Sequence, residues 1–142
     1  MNVAHALTVA IVGRDATALD EDHLRRMTLG DRQLEREVLE LFLRQTAILL
    51  DRIAGAQPRL AAAAAHTLKG SARGIGAWRM AQAAEDLEHV ALGGDGGEND
   101  NGRDGLHDLS DAIAELRAAS LEAGAAIGVR LTALLSELGR RH

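Results

Sequence analysis

Turned at about 100° per residue, the stretch from Pro58 to Gly74 separates into two faces. Leu60, Ala61, Ala64, Ala65, Leu68, Ser71, Ala72 and Ile75 gather within roughly 80° of Leu68 and form the stripe expected to be buried. Arg59, Ala62, Gly70 and Arg73 take the opposite sector with Lys69 at its edge, and His66 lands about 160° from Leu68. This helix thus carries its histidine toward water. The last segment, Leu106 to Leu138, is as regular, with Leu109, Ile113, Leu116, Ala123, Ile127, Leu131 and Leu134 along one side. Arg32 to Ala54 differs: Leu34, Val38, Leu41, Ile48 and Leu49 make one apolar stripe, while Leu39, Leu43 and Leu50 cluster nearly opposite. Two apolar faces imply two packing duties. The second face is expected to lie mostly under the short N-terminal helix and the apolar leader. Its uncovered part, at Leu39 and Leu43, is expected to dock another protein beside His66.

Punctuation divides these segments. "LGD", Leu29 to Asp31, stops a short helix near Asp20 to Met27 and restarts the chain. Pro58, the only proline, belongs in the first turn of a new helix, so the preceding one ends near Ala54 to Gly55. A fourth helix spans Ala77 to Leu92. "GGDGGENDNGRDG", Gly93 to Gly105, is too rich in glycine and acids to bury anything and reads as a flexible loop. Short connections favour antiparallel neighbours. The pattern therefore predicts an all-α protein, an up-and-down antiparallel four-helix bundle with a short extra N-terminal helix. Residues 1–19 form a leader to which the pattern assigns no structure, and residues 20–142 form the bundle.

Composition narrows the function. The 142 residues, 46% apolar, suffice for one core. One Trp, one Phe and no Tyr leave that core to Leu, Ile, Val, Met and abundant Ala, which suits closely approaching helices. The absence of cysteine excludes disulfides and thiolate metal sites and is compatible with the cytoplasm, the expected location. A net charge of −5 without a basic face argues against nucleic acid. "NVAHALTVAIVG", near the N-terminus, is too short to span a membrane and lacks a positive flank, so neither a membrane partner nor a targeting segment is expected. Asp95, Glu98, Asp100 and Asp104 lack EF-hand spacing, and Glu85 with His89 is an ordinary surface pair at i, i+4, so no metal is assigned.

The surroundings of His66 carry the chemistry. Ala62, Ala63 and Gly70 flank it with almost no bulk, although a glycine inside a helix costs about 1 kcal/mol relative to alanine. That cost clears space for a tetrahedral group to reach the ring. Lys69 at i+3 and Arg73 at i+7 lie on the same side, where either could meet phosphate oxygens.

"AHTLKGSARGIGA", Ala65 to Ala77, resembles the signature of histidine phosphotransfer (HPt) domains, in which His-x-Leu-Lys-Gly-Ser surrounds a phosphorylated histidine. "TLGDRQLEREVLELFLRQT" and "AAEDLEHVA" resemble the helices before and after it, so the likeness spans roughly Asp20 to Leu138. The resemblance implies that His66 is a phosphoacceptor relaying a phosphoryl group between aspartates of receiver domains. Lys69 would be a phosphate-side cation and Gly70 the clearance position, with Gly76 at the turn into the next helix. Ser71 falls in the buried sector and reads as packing or a bond to the backbone one turn back. Arg73, Arg79, Leu39 and Leu43 are docking candidates that the resemblance does not supply.

Response-regulator receivers and a hybrid or sensor histidine kinase are the implied partners. Mg²⁺ is expected on the receiver and no cofactor on this chain. With no nucleotide-binding loop, the chain is read as a phosphohistidine carrier, not a kinase. The alternative is a non-catalytic bundle that docks a receiver or kinase without being phosphorylated. A monomer is expected. The rival arrangement is a homodimer through the end of the last helix, unless Gly124 and Gly128 break that helix and its end folds against the leader.

Overall fold

The computed structural model describes residues 18–93 and 102–140, and its elements are five helices: α1 (Glu21–Met27), α2 (Arg32–Gly55), α3 (Pro58–Ile75), α4 (Trp78–Ala91) and α5 (Gly102–Arg140). Residues 1–17 and most of the glycine-rich stretch lie outside the described residues, and with them the leader and the expected flexibility of 93–105. Positions 102–105 of that stretch are helical and open α5.

Local chemistry explains each boundary. Asp20 caps α1 by accepting from the His23 amide, and Asp31 caps α2 by accepting from the amides of Gln33 and Leu34. Between them Leu29 and Gly30 both adopt positive φ, 56° and 73°, which ends α1 and turns the chain into α2. Pro58 occupies the first turn of α3. Gly76, at φ 86°, closes that helix in the left-handed conformation. Neither Gly124 nor Gly128 breaks α5, which runs unbroken for 39 residues, about 58 Å at 1.5 Å per residue. Each glycine costs only about 1 kcal/mol in a helix interior, less than the packing on both sides supplies.

The four long helices form a ring. α3 packs on α2 and α4, α5 packs on α4 and α2, and α1 lies across α3. Cross-helix pairs show the directions: His66 meets Glu88 while Arg73 meets Glu85, so α4 descends as α3 rises. Arg32 with Glu137 and Arg130 with Glu35 show the same for α2 and α5. Leu39, Leu68, Met80, Leu87, Leu116 and Ile127 meet in the core with essentially no exposure. Each contributes roughly 1.5–3 kcal/mol through burial.

Two sequence expectations need correction. On α2 the face turned to the core carries Leu39, Phe42 and Ile53, with Leu43, Leu49 and Leu50 partly covered, whereas Leu34, Leu41 and Ile48 are exposed. Leu39 is wholly buried and cannot dock a partner, and Leu43 packs against the core. The buried face also holds Glu35 and Thr46, polar residues that disguise it in a hydropathy pattern. On α3 the buried arc is rotated, with Ala62 covered and Leu60 65% exposed. The reason is that α3 makes its broadest contact with α4, on the Ala62 side.

Candidate functional site

α3 and α4 form a hairpin whose turn is only Gly76 and Ala77. Gly76 is obligatory there. A Cβ at its position would stand 2.9 Å from the Asp20 carbonyl oxygen, and φ is positive besides. Asp20 fastens the turn from outside, donating its amide to the Gly76 carbonyl at 2.9 Å and accepting from Trp78 Nε1 at 3.0 Å. The Trp78 bond and the His23 amide hold the Asp20 carboxyl below its usual range. His23 completes the clasp with its ring 4.8 Å from that of Trp78. α1 is thus a brace that sets the pitch of the hairpin.

The hairpin's symmetry delivers the site. His66 lies eleven residues before Ala77, and Glu88 lies eleven after it, so an antiparallel pair turning there sets them level. Glu88 Oε2 is 2.8 Å from His66 Nδ1, and its Oε1 accepts from Lys69 Nζ at 2.7 Å. The Lys69 bond above all, with the bond to His66, holds the Glu88 carboxyl below the usual glutamate range against the opposing effect of burial. An ionised carboxylate only accepts, so Nδ1 carries the proton; in the neutral imidazole Nε2 is then the lone-pair nitrogen. His66 remains 66% exposed. Beside it, a Cβ on Gly70 would meet nothing within 4 Å. The ring is held at one nitrogen and open at the other.

The predicted companions divide. Lys69 reaches the same carboxylate as the ring and is 15% exposed, so its ammonium is engaged by an acid and does not stand free. Arg73 pairs with Glu85 at 3.3 Å on the surface near by. Arg79 is elsewhere: it bonds Glu122 of α5 at 2.8 Å, and nine residues separate it from Glu88, about half a revolution around α4. Ser71 is half-buried and lines an apolar groove between α1, α2 and α3, along with Leu24, Met27, Leu41, Phe42 and Gly74. Sequence reasoning missed Glu88. Counting outward from the glycine turn was the signal that would have found it.

The mechanical elements of a positioned nucleophile are therefore on one face: an exposed imidazole, a carboxylate that fixes its tautomer, and an empty position one turn on. No curated protein and no solved structure matches the chain. A family model, described as the Hpt domain, matches residues 37–119, more than half of the sequence and including His66, Lys69, Gly70 and Glu88. This helical chain belongs to the Hpt domain family.

Proposed function

We propose that the protein relays a phosphoryl group through His66 between aspartates of receiver domains. The observation that carries this reading is the exposed ring whose Nδ1 is held by Glu88. Nε2 attacks the phosphorus of a receiver's aspartyl phosphate. The N–P bond forms as the acyl-phosphate P–O bond breaks, and the receiver's aspartate leaves as a carboxylate. No proton has to leave the ring, because Nδ1 keeps its hydrogen. The positive charge that develops on the imidazole is met by the Glu88 carboxylate, already in place. The second transfer reverses these bonds onto another aspartate.

Phosphoryl transfer through a loose transition state needs alignment and charge compensation above all. The chain's residues orient the nucleophile, and the receiver is the expected source of Mg²⁺. Lys69, bonded to Glu88, acts first as a clamp on that carboxylate; its role as a phosphate-side cation would require it to change partner. The docking face is reassigned to Leu41 of α2, which is exposed and lines the groove beside α3, and to Ile48, exposed two turns further along the same helix.

Incubation with a phosphorylated receiver tests the relay. The expected product is an acid-labile, base-stable label on the protein that disappears in His66→Ala. A folded protein that docks the receiver but takes no label would instead establish the adaptor reading.

A further inference from the structure

The fixed ring of His66 decides where a phosphoryl group would stand. Nδ1 is held toward α4 by Glu88 at 2.8 Å, so Nε2, on the other side of the imidazole, points away from α4. Viewed down α3, Ala62 and Lys69 lie about 40° and 60° from His66 on the α4 side, whereas Gly70, Ala63 and Thr67 lie about 40°, 60° and 100° from it on the other. Ala62 is buried, and Gly70, Ala63 and Thr67 are all exposed. The open position at Gly70, where a Cβ would meet nothing within 4 Å, is therefore on the side of the free nitrogen. Lys69 is on the opposite side, bonded to Glu88 at 2.7 Å.

Ala63 and Thr67 form one bank of a groove between α2 and α3, with Leu49, Leu60 and Ala64 among its other walls. Its only charged lining residue is Arg52 of α2. Arg52 is exposed, and among the described residues no acid is bonded to it. One turn to either side of it on α2 stand Ile48, Leu49, Gly55 and Ala56, which offer none. α2 and α3 are joined by Ala56 and Gln57 alone and run antiparallel, so counting outward from that connection sets Arg52 level with Ala61, about 7.5 Å along the axis from His66. Helical side chains lean toward the N-terminus of their own helix, and on α2 that direction leads from Arg52 toward the level of His66. Two other arginines share the line of His66 on α3, each about 10.5 Å away. By the same rule Arg59 leans away from the ring, and Arg73, which leans toward it, is held by Glu85 at 3.3 Å. Of the three, Arg52 alone is directed toward the ring and without an acid.

We propose that Arg52 is the phosphate-side cation of this protein: its guanidinium donates to the oxygens of a phosphoryl group carried on His66 Nε2, over Ala63 and Thr67. The planar fork of N–H donors suits phosphate oxygens, and the apolar walls of the groove leave the guanidinium no competing acid. Arg52 moves no proton and forms no bond to phosphorus; it meets the charge of the group while that group is on the ring. The two cations then divide the work, Lys69 holding the carboxylate that orients the imidazole and Arg52 receiving what the imidazole carries. This role rests on the relay proposed above for the source of the phosphoryl group, whereas the contact itself needs only a phosphorylated ring.

Potassium phosphoramidate phosphorylates exposed imidazoles without a receiver, so the contact can be read apart from the relay. In protein labelled with nitrogen-15 arginine, chemical loading is expected to shift the Arg52 Nε–H resonance, identified by its loss in Arg52→Gln, and to leave it in place in His66→Ala. With a phosphorylated receiver, Arg52→Gln is expected to slow transfer roughly tenfold, and Arg52→Lys, which keeps the charge without the fork, to fall between. An Arg52 resonance unmoved by loading, a shift that persists in His66→Ala, or full-rate transfer in Arg52→Gln would each overturn the proposal. The two readings fail separately. A chemically loaded ring that shifts Arg52 in a protein no receiver can label would sink the relay and keep the contact, while normal labelling with Arg52 unmoved would sink the contact and keep the relay.

Discussion

Glu88 serves an ammonium and an imidazole with one carboxylate, and the balance between them decides what His66 can do. A hydrogen bond to a charged group contributes about 1.5–3 kcal/mol, so Glu88→Ala is expected to slow transfer from a phosphorylated receiver roughly tenfold to a hundredfold. Glu88→Gln, which can still accept from Nδ1–H without the charge, should fall between the two. Rapid-quench transfer rates with one receiver give the order. The sign of the pH dependence follows from the depressed Glu88 carboxyl. A carboxyl lowered in the folded state contributes stability that is complete above its unfolded-state value and is lost as pH falls through the folded one. The clamp therefore holds at neutral pH and opens only beneath the usual glutamate value of 4.5. Carbon-13 titration of the Glu88 carboxyl should show its midpoint below that of an unpaired glutamate, and Lys69→Met should raise it. Gly70 offers a different check, because a methyl there meets no atom. Gly70→Ala is expected to stabilise the protein by up to about 1 kcal/mol in urea melts while retarding transfer, a trade of stability against access.

At the scale of elements, the α3–α4 hairpin is the instrument that sets the site, and α1 is its fastener. Gly76→Ala combines a left-handed φ with a 2.9 Å approach to the Asp20 carbonyl. It is expected to cost about 1–3 kcal/mol, read as a lower midpoint in chemical denaturation. The His66 ring should also lose its fixed contact with Glu88, visible as changed imidazole nitrogen shifts. Much of this architecture was legible beforehand because it is written in local chemistry: Asp31 after "LG", Pro58 at a helix start and Gly76 at a helix end each have one comfortable backbone role. The facing of α2 was not legible. Its solvent stripe, Leu34, Leu41 and Ile48, is as apolar as its core stripe, and the core stripe hides Glu35. Only the partner helices decide between such faces. His66 was read correctly as exposed because α3 has a single apolar arc. Glu88 escaped because its acid looks like any other on α4 until the turn is used as a ruler.

For the molecule as a whole, the decisive bond is between its two longest helices. Glu35 is 3% exposed at its side chain and receives Arg130 through two nitrogens, at 2.6 and 3.3 Å, across 95 residues of sequence. That carboxylate raises the Arg130 guanidinium above its usual range. A buried pair of this kind is weak evidence of net stability, since desolvating both charges offsets their attraction. Removing one partner is another matter, because the other charge is left largely buried without its hydrogen-bonded counter-charge. Glu35→Ala is expected to destabilise by about 3 kcal/mol, somewhat below the upper values for such pairs because Arg130 retains some contact with water. Glu35→Met with Arg130→Leu should recover most of that loss, so a double-mutant cycle in urea would show strong coupling. The pair closes the ring at the end far from His66, where α2 and α5 run past the α3–α4 turn. Transfer measured on the folded protein should accordingly be unchanged in the double variant, even where the denaturation midpoint moves. A loss of transfer at full folding would instead mean that the α2–α5 seam positions the hairpin, and that the site extends through the whole bundle.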